Sequence, residues 1–221
     1  MKLLLTLTTL ILTATQAHAE PQTFQATARP DGSTGVVFKL PYTGGTHTGL
    51  ARKILGAIRL DPANLAATTG KIQVPIANIV TGDAKRDCHM RESLGLNYDV
   101  SKFPEVHVCD ANQNLAPTGP DSIIFPTVDF EISGVAVPNG TVLRTGQPVT
   151  AQVRGRFTIH GVAREISLPA VVTLTTQNEL TVQTKGGLKL ADFGIIVKKF
   201  LFITVGEAAT LDLNLSFTRV Q

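Results

Sequence analysis

The chain has 221 residues with a formal charge of +3, 43% hydrophobic and 17% charged residues, and no tryptophan. That is enough for one domain with a sizeable core, and the balance is neither that of a disordered chain nor of a fibrous one. Lysine and arginine are scattered with no run of five like charges, and only 2 tyrosines accompany them, which argues against a nucleic-acid groove built on stacking rings.

The first segment is Met1-Lys2, then the apolar run LLLTLTTLIL, then Ala17-His18-Ala19 ahead of Glu20-Pro21. A basic start, a short apolar stretch and small residues at alternate positions predict a secretory signal peptide, residues 1–19, cut after Ala19. Residues 20–221 are then one domain that works in the periplasm or outside the cell. No later stretch reaches the roughly 18 unbroken apolar residues of a membrane-spanning helix. FLFITV at 200–205 is short and follows Lys198 and Lys199.

Beyond Glu20 the dominant signal is alternation. Phe24, Ala26 and Ala28 share a parity, as do Val36, Phe38 and Leu40; Ile54, Gly56, Ile58 and Leu60; and Ile72, Val74 and Ile76. The pattern returns at Val128, Phe130 and Ile132, and again from Val149 through Ala151, Val153, Gly155 and Phe157 to Ile159. After His160-Gly161 it resumes in phase at Ile166, Leu168, Ala170, Val172 and Leu174, which predicts an antiparallel hairpin. Val182 and Thr184, then Leu211, Leu213, Leu215 and Phe217, complete about eight to ten half-apolar strands. TGGTHTG, APTGPDS and VPNGT read as turn-rich connections. With so little helix to cover it, such a sheet must close into a barrel or fold into a sandwich.

Residues 81–95 alone read as helix. Thr81 or Asp83 caps the start, Asp87 and Arg91 are placed for an i,i+4 ion pair, Met90 and Leu94 share a stripe, and Gly95 ends it. The helix carries RDCHMRESL, whose Cys88 has one counterpart, Cys109. Two readings of the pair stand. An even cysteine count in an exported chain favours a disulfide, closing a loop of about 20 residues and contributing on the order of 3 kcal/mol. Alternatively Cys88, His89, His107 and Cys109 form a redox or metal-binding module, although neighbours on a helix diverge by about 100°.

For catalysis there is no G-x-S-x-G elbow, H-E-x-x-H pair or S-x-x-K. Asp87, His89 and Glu92 read as a salt-bridged face of a solvated helix, and His160 as a turn residue. No catalytic residue, metal ligand or required cofactor is assigned, and the chain is not expected to be an enzyme. The inward parity mixes bulky residues with Ala26, Ala28, Gly56, Ala151 and Gly155 and is almost free of charge. A closed sheet of about eight strands is either filled by such side chains or holds one small ligand. The expected lining is Phe38, Ile58, Val74, Phe130, Ile132, Val153, Phe157, Val172, Leu213, Leu215 and Phe217.

Several pieces match a known pattern: GAIRLDPANLAATTGKIQVPIANIVTG, KRDCHMRESL, DVSKFPEVHV, GRFTIHGVAREISLPA and ADFGI. In these the chain resembles the YceI-like proteins, a periplasmic polyisoprenoid-binding family with a lipocalin-like fold. The resemblance implies an all-β, extended eight-stranded antiparallel barrel with one short helix closing part of it. It also implies an apolar small-molecule ligand in the cavity, such as an isoprenoid quinone, a polyprenyl lipid or a fatty amide, and it is compatible with a homodimer. Arg86, Asp87 and His89 then either fix the lid helix or touch a polar head group at the mouth. The chain departs from the family at GLNYDV after the helix, at KLA before the D-F-G, and in its cysteine pair.

Overall fold

The computed structural model describes residues 20–29, 32–98, 108–176, 178–197 and 204–220. The expected signal peptide and His107 lie outside the described residues. In chain order the strands are β1 (Gln22–Thr27), β2 (Gly35–Tyr42), β3 (Gly45–Ala51), β4 (Leu55–Asp61), β5 (Asn64–Pro75) and β6 (Ile79–Val80). After the helix α1 (Ala84–Gly95) come β7 (Thr127–Ala136), β8 (Val149–Ile159), β9 (Val162–Thr176), β10 (Glu179–Lys189) and β11 (Ala208–Val220). A 3-10 turn, Leu190–Phe193, follows β10.

Eight strands close on themselves in the order β1-β4-β5-β7-β8-β9-β10-β11, with β11 returning to β1. All these pairs are antiparallel. The expected eight-stranded barrel with one helix is therefore the fold. Closure pairs the backbone groups that an open edge would expose. β11 also has a divided edge: Ser216–Val220 pair with β1, and Thr210–Asn214 pair with β2. The second half extends the sheet through β3 to β6, outside the closed ring.

The hairpin predicted around His160-Gly161 forms in the expected register, from Val149 opposite Val172 to Ile159 opposite Val162. His160 at φ 53° and Gly161 at φ 72° make a two-residue turn with both residues left-handed. That turn type matches the twist of the strands it joins. The connection expected in TGGTHTG is instead mostly strand. Thr43-Gly44 alone turns the chain, and GTHTGLA pairs with β2 from Gly45 opposite Tyr42 onward. The glycines that weaken this stretch as a strand have a packing reason, since the ring of Phe38 lies where a side chain on Gly49 would stand, 2.0 Å from its Cβ position.

Polar residues take the outer face, as the alternation requires. Lys71 on β5 reaches both Asp129 (2.8 Å) and Glu131 (3.2 Å) on β7. Burial by itself raises the Asp129 pKa, but hydrogen bonds from Lys71, Thr127 and Gln73 outweigh it and hold the carboxyl below its usual range.

Gly155 on β8 lies under the ring of Phe130, and an added Cβ falls 2.5 Å from that ring and 2.4 Å from the Glu131 carbonyl oxygen. Gly155→Val is expected to destabilise the fold by about 1–3 kcal/mol in denaturant unfolding. Gly134→Ala, with nothing within 4 Å of the new Cβ, serves as control and shifts it by less than about 0.5 kcal/mol.

Candidate functional site

Inward-facing side chains gather into two buried clusters at opposite ends of the barrel. One holds Phe24, Ile58, Leu60, Ile72, Leu174, Leu180, Leu215 and Phe217, with Val74, Ile132, Val172 and Leu213 packed against it. The other holds Ile159, Leu190, Phe193, Ile195 and Ala209, joined by Phe157, by Val128 and by Leu94 of α1. Between them lies a belt of inward parity that belongs to neither cluster: Phe130, Val153, Ile166, Leu168 and Leu211. These five are only half-buried although they share the inward parity.

The expected lining residues thus fall into four groups. Ile58, Val74, Ile132, Val172, Leu213, Leu215 and Phe217 belong to the first cluster or its margin. Phe157 packs edge-on against Phe193 at 5.5 Å in the second. Phe130 and Val153 stand in the belt. Phe38 lies on β2, in the extension, opposite Leu211 and over Gly49.

The wall parts beside this belt. β9 and β10 pair from Thr176 opposite Glu179 as far as Ala170 opposite Thr184, and no further. Beyond that point Lys185–Lys189 pair only with β11, and Val162–Pro169 only with β8. Pro169 has no N–H to give to the ladder. Its carbonyl oxygen instead accepts a bond from the Thr184 hydroxyl at 2.7 Å. The chain supplies no bulk at Gly186, and Leu168 lies across it, 2.5 Å from the Cβ position. Beside the belt β9 and β10 are therefore not paired, and the Leu168 side chain spans the gap to rest on Gly186, with exposed Arg164 further along the same parity.

Helix α1 covers the end occupied by the second cluster, and polar contacts hold it along its length. The Asp83 side chain caps it by accepting from the Arg86 N–H at 2.7 Å. Arg86 donates from Nε to the Thr81 hydroxyl (2.9 Å) and from Nη2 to the Thr81 carbonyl (3.2 Å), and its Nη1 lies 3.1 Å from His47 Nδ1 on β3. His47 is stacked on Tyr42 with centroids 4.1 Å apart. Asp87 accepts from the Thr81 N–H at 2.6 Å and from its hydroxyl, rather than pairing with Arg91. At the far end His160 Nε2 lies 2.8 Å from the Leu96 carbonyl oxygen, and its ring stacks on Tyr98 at 4.5 Å.

The solvated face expected for Asp87, His89 and Glu92 is corrected by burial. Asp87 is 7% exposed and Glu92 2%. Glu92 lies at i+4 from Cys88, on the face that packs inward, and that spacing is the signal that reveals it once Cys88 is taken as buried. Its Oε1 accepts the Val108 N–H at 2.9 Å and lies 3.5 Å from Cys109 Sγ, while Oε2 lies 2.9 Å from His89 Nδ1. Cys88 and Cys109 are bridged, with Cα atoms 6.4 Å apart. Arg86 and Asp87 thus tie the helix to Thr81 and His47, whereas His89 meets Glu92 of the same helix. Outside α1, a cleft of about 460 Å³ opens between Ala77, Arg91, Asn114–Pro117 and Ile123.

Comparison with known proteins places this geometry. Residues 27–217 match the YceI-like domain model. Among solved structures the chain is similar to a polyisoprenoid binding domain from Saccharophagus degradans implicated in plant cell wall breakdown, with a TM-score of 0.57 at 13% identity over 90% of this chain and 99% of that one. It is similar to Burkholderia cenocepacia BcnA, with a TM-score of 0.55 at 16% identity over 82% and 95%. A mutant Campylobacter jejuni YCEI protein carrying a monobromobimane guest aligns with a TM-score of 0.52 at 16% identity over 78% and 85%. No curated protein matches the sequence.

Burial first, and the neighbouring Arg86 charge second, lower the pKa of His47, with Asp83 opposing. The folded state therefore favours the neutral ring, so its contribution is complete above the ordinary histidine pKa and is lost as pH falls through the lower folded value. Amide exchange in Gly45–Ala51, corrected for intrinsic rates, is expected to rise between about pH 7 and about pH 5. His47→Gln is expected to abolish that dependence; equal protection of the wild type at both pH values would contradict it.

Proposed function

The chain belongs to the YceI-like family, and we propose that it is an exported carrier that binds a long apolar molecule of isoprenoid or lipid type in its barrel, without catalysing a reaction. The observation that carries this reading is the half-buried apolar belt between two closed clusters, beside a stretch of wall where β9 and β10 are not paired. The ligand-binding name of the Saccharophagus degradans domain supports the same class of ligand.

Energetics are consistent with a site that has few polar contacts. At about 0.8 kcal/mol per buried CH₂, a tail of some fifteen carbons contributes roughly 12 kcal/mol gross. That exceeds the several kcal/mol lost on association without requiring a strong head-group contact. The belt of Phe130, Val153, Ile166, Leu168 and Leu211 receives the tail, and Arg164 offers a counter-charge to an anionic or polar head beside the unpaired stretch of β9 and β10. An isoprenoid quinone, a polyprenyl lipid and a fatty amide all share this chemistry. The basic and apolar pattern of residues 1–19 supports the export part of this reading, with cleavage after Ala19.

Mass spectrometry of an organic extract tests the proposal. The purified wild type is expected to release an apolar molecule at close to one equivalent per chain. Val153→Glu and Leu168→Glu, which place a charge in the belt, are expected to reduce it at least about tenfold while unfolding stays cooperative. An empty wild type that also takes up no prenyl alcohol, or variants that load as well as the wild type, would overturn it. The intact mass of the exported chain reads the cleavage site in the same experiment.

A further inference from the structure

The cluster beneath the disulfide has chemistry that a structural bridge does not use. We propose that Cys88, Cys109 and Glu92, once the bridge is reduced, form a binding site for a soft divalent metal ion of the zinc class. The two sulfurs and a Glu92 carboxylate oxygen lie within 4.8 Å of one another. Around a tetrahedral zinc, ligands at 2.0–2.3 Å from the metal stand roughly 3.3–3.8 Å apart. The Cys109 Sγ to Glu92 Oε1 separation is already 3.5 Å.

Burial and support point the same way. Cys88 is 0% exposed and Glu92 2%. A disulfide between a helix and a neighbouring segment is satisfied by apolar packing, and a buried carboxylate beside it is costly unless other groups hold it in place. Here His89 Nδ1 lies 2.9 Å from Oε2 and the Val108 N–H bonds Oε1, which fixes the carboxylate with Oε1 towards the sulfurs. Such outer contacts are what orient a metal-binding carboxylate. Cys88 and Glu92 share one helix face at i and i+4, and Cys109 comes from the segment opposite. Cys109 is half-buried, and water would supply the fourth ligand.

The chemistry balances. A phosphine gives two electrons to the disulfide and leaves as its oxide, taking the oxygen of one water molecule, whose two protons complete the two thiols. The metal ion then displaces both thiol protons to solvent and binds two thiolates and the carboxylate. His89 acts as a positioning residue through Glu92. The site and the disulfide are therefore exclusive states of the same two sulfurs, and the inference stands whether or not the barrel holds a lipid.

Cobalt(II) serves as the probe, added without air to the full chain after reduction by a phosphine and removal of the reductant. The expected result is one equivalent bound, with a thiolate-to-cobalt absorption band that zinc abolishes. Oxidised chain gives no band. Cys88→Ser and Cys109→Ser lose it, Glu92→Gln weakens binding at least about tenfold, and His89→Gln weakens it less. If reduction loosens the chain, cobalt or zinc is expected to restore its circular dichroism. A reduced wild type that neither binds cobalt nor regains structure with it would overturn the proposal, as would a band of equal strength in the Cys88→Ser, Cys109→Ser double variant.

Discussion

The structure depends on the pairing of β11 with β1. A chain with many half-apolar strands and one short helix has no second layer to cover its sheet, so the sheet must cover itself. Thr23–Thr27 opposite Ser216–Val220 is where it does so. Without that seam the apolar faces of all eight strands would lie open. With it they face one interior, and Phe24 and Phe217 are fully buried beside it.

Closure also explains why the interior is uneven. β11 has 13 residues and gives half of its edge to β1 and half to β2, so the ring is tight at one end and splayed at the other. The tight end fills with the larger cluster. At the splayed end β9 and β10 separate after Ala170, and the 3-10 turn brings Phe193 against Phe157 to stop the gap. The belt left between these two plugs is where the interior remains accessible. Helix α1 lies over the splayed end, and its polar contacts to Thr81, His47, Val108, Cys109 and His160 tie it to several surrounding segments, so the cover is well anchored.

Much of this was legible in the sequence because a closed antiparallel sheet leaves a period-two record. The hairpin at His160-Gly161 was readable to the residue, since both flanking runs alternate and the turn carries a glycine. The Asp83 cap was readable for a similar local reason. β3 was not, because GTHTGLA becomes a strand through its pairing with β2 and through the Phe38 ring that covers Gly49, both tertiary facts. Glu92 was missed because charge in a helix ordinarily signals water, whereas here the carboxylate accepts a backbone N–H from a segment 16 residues away. The parting of β9 and β10 was invisible as well. Pro169 in SLPAVV hints at a broken ladder, but only the register shows which partner is lost.

The central claim is that the belt between the two clusters admits an apolar chain. A crystal structure of the protein grown with a long prenyl alcohol tests it most directly. The account predicts continuous ligand density along Val153, Leu168 and Leu211, with the Leu168 side chain displaced from its place over Gly186. Density for the alcohol only on the outer surface, with the belt filled by the protein's own side chains, would contradict it.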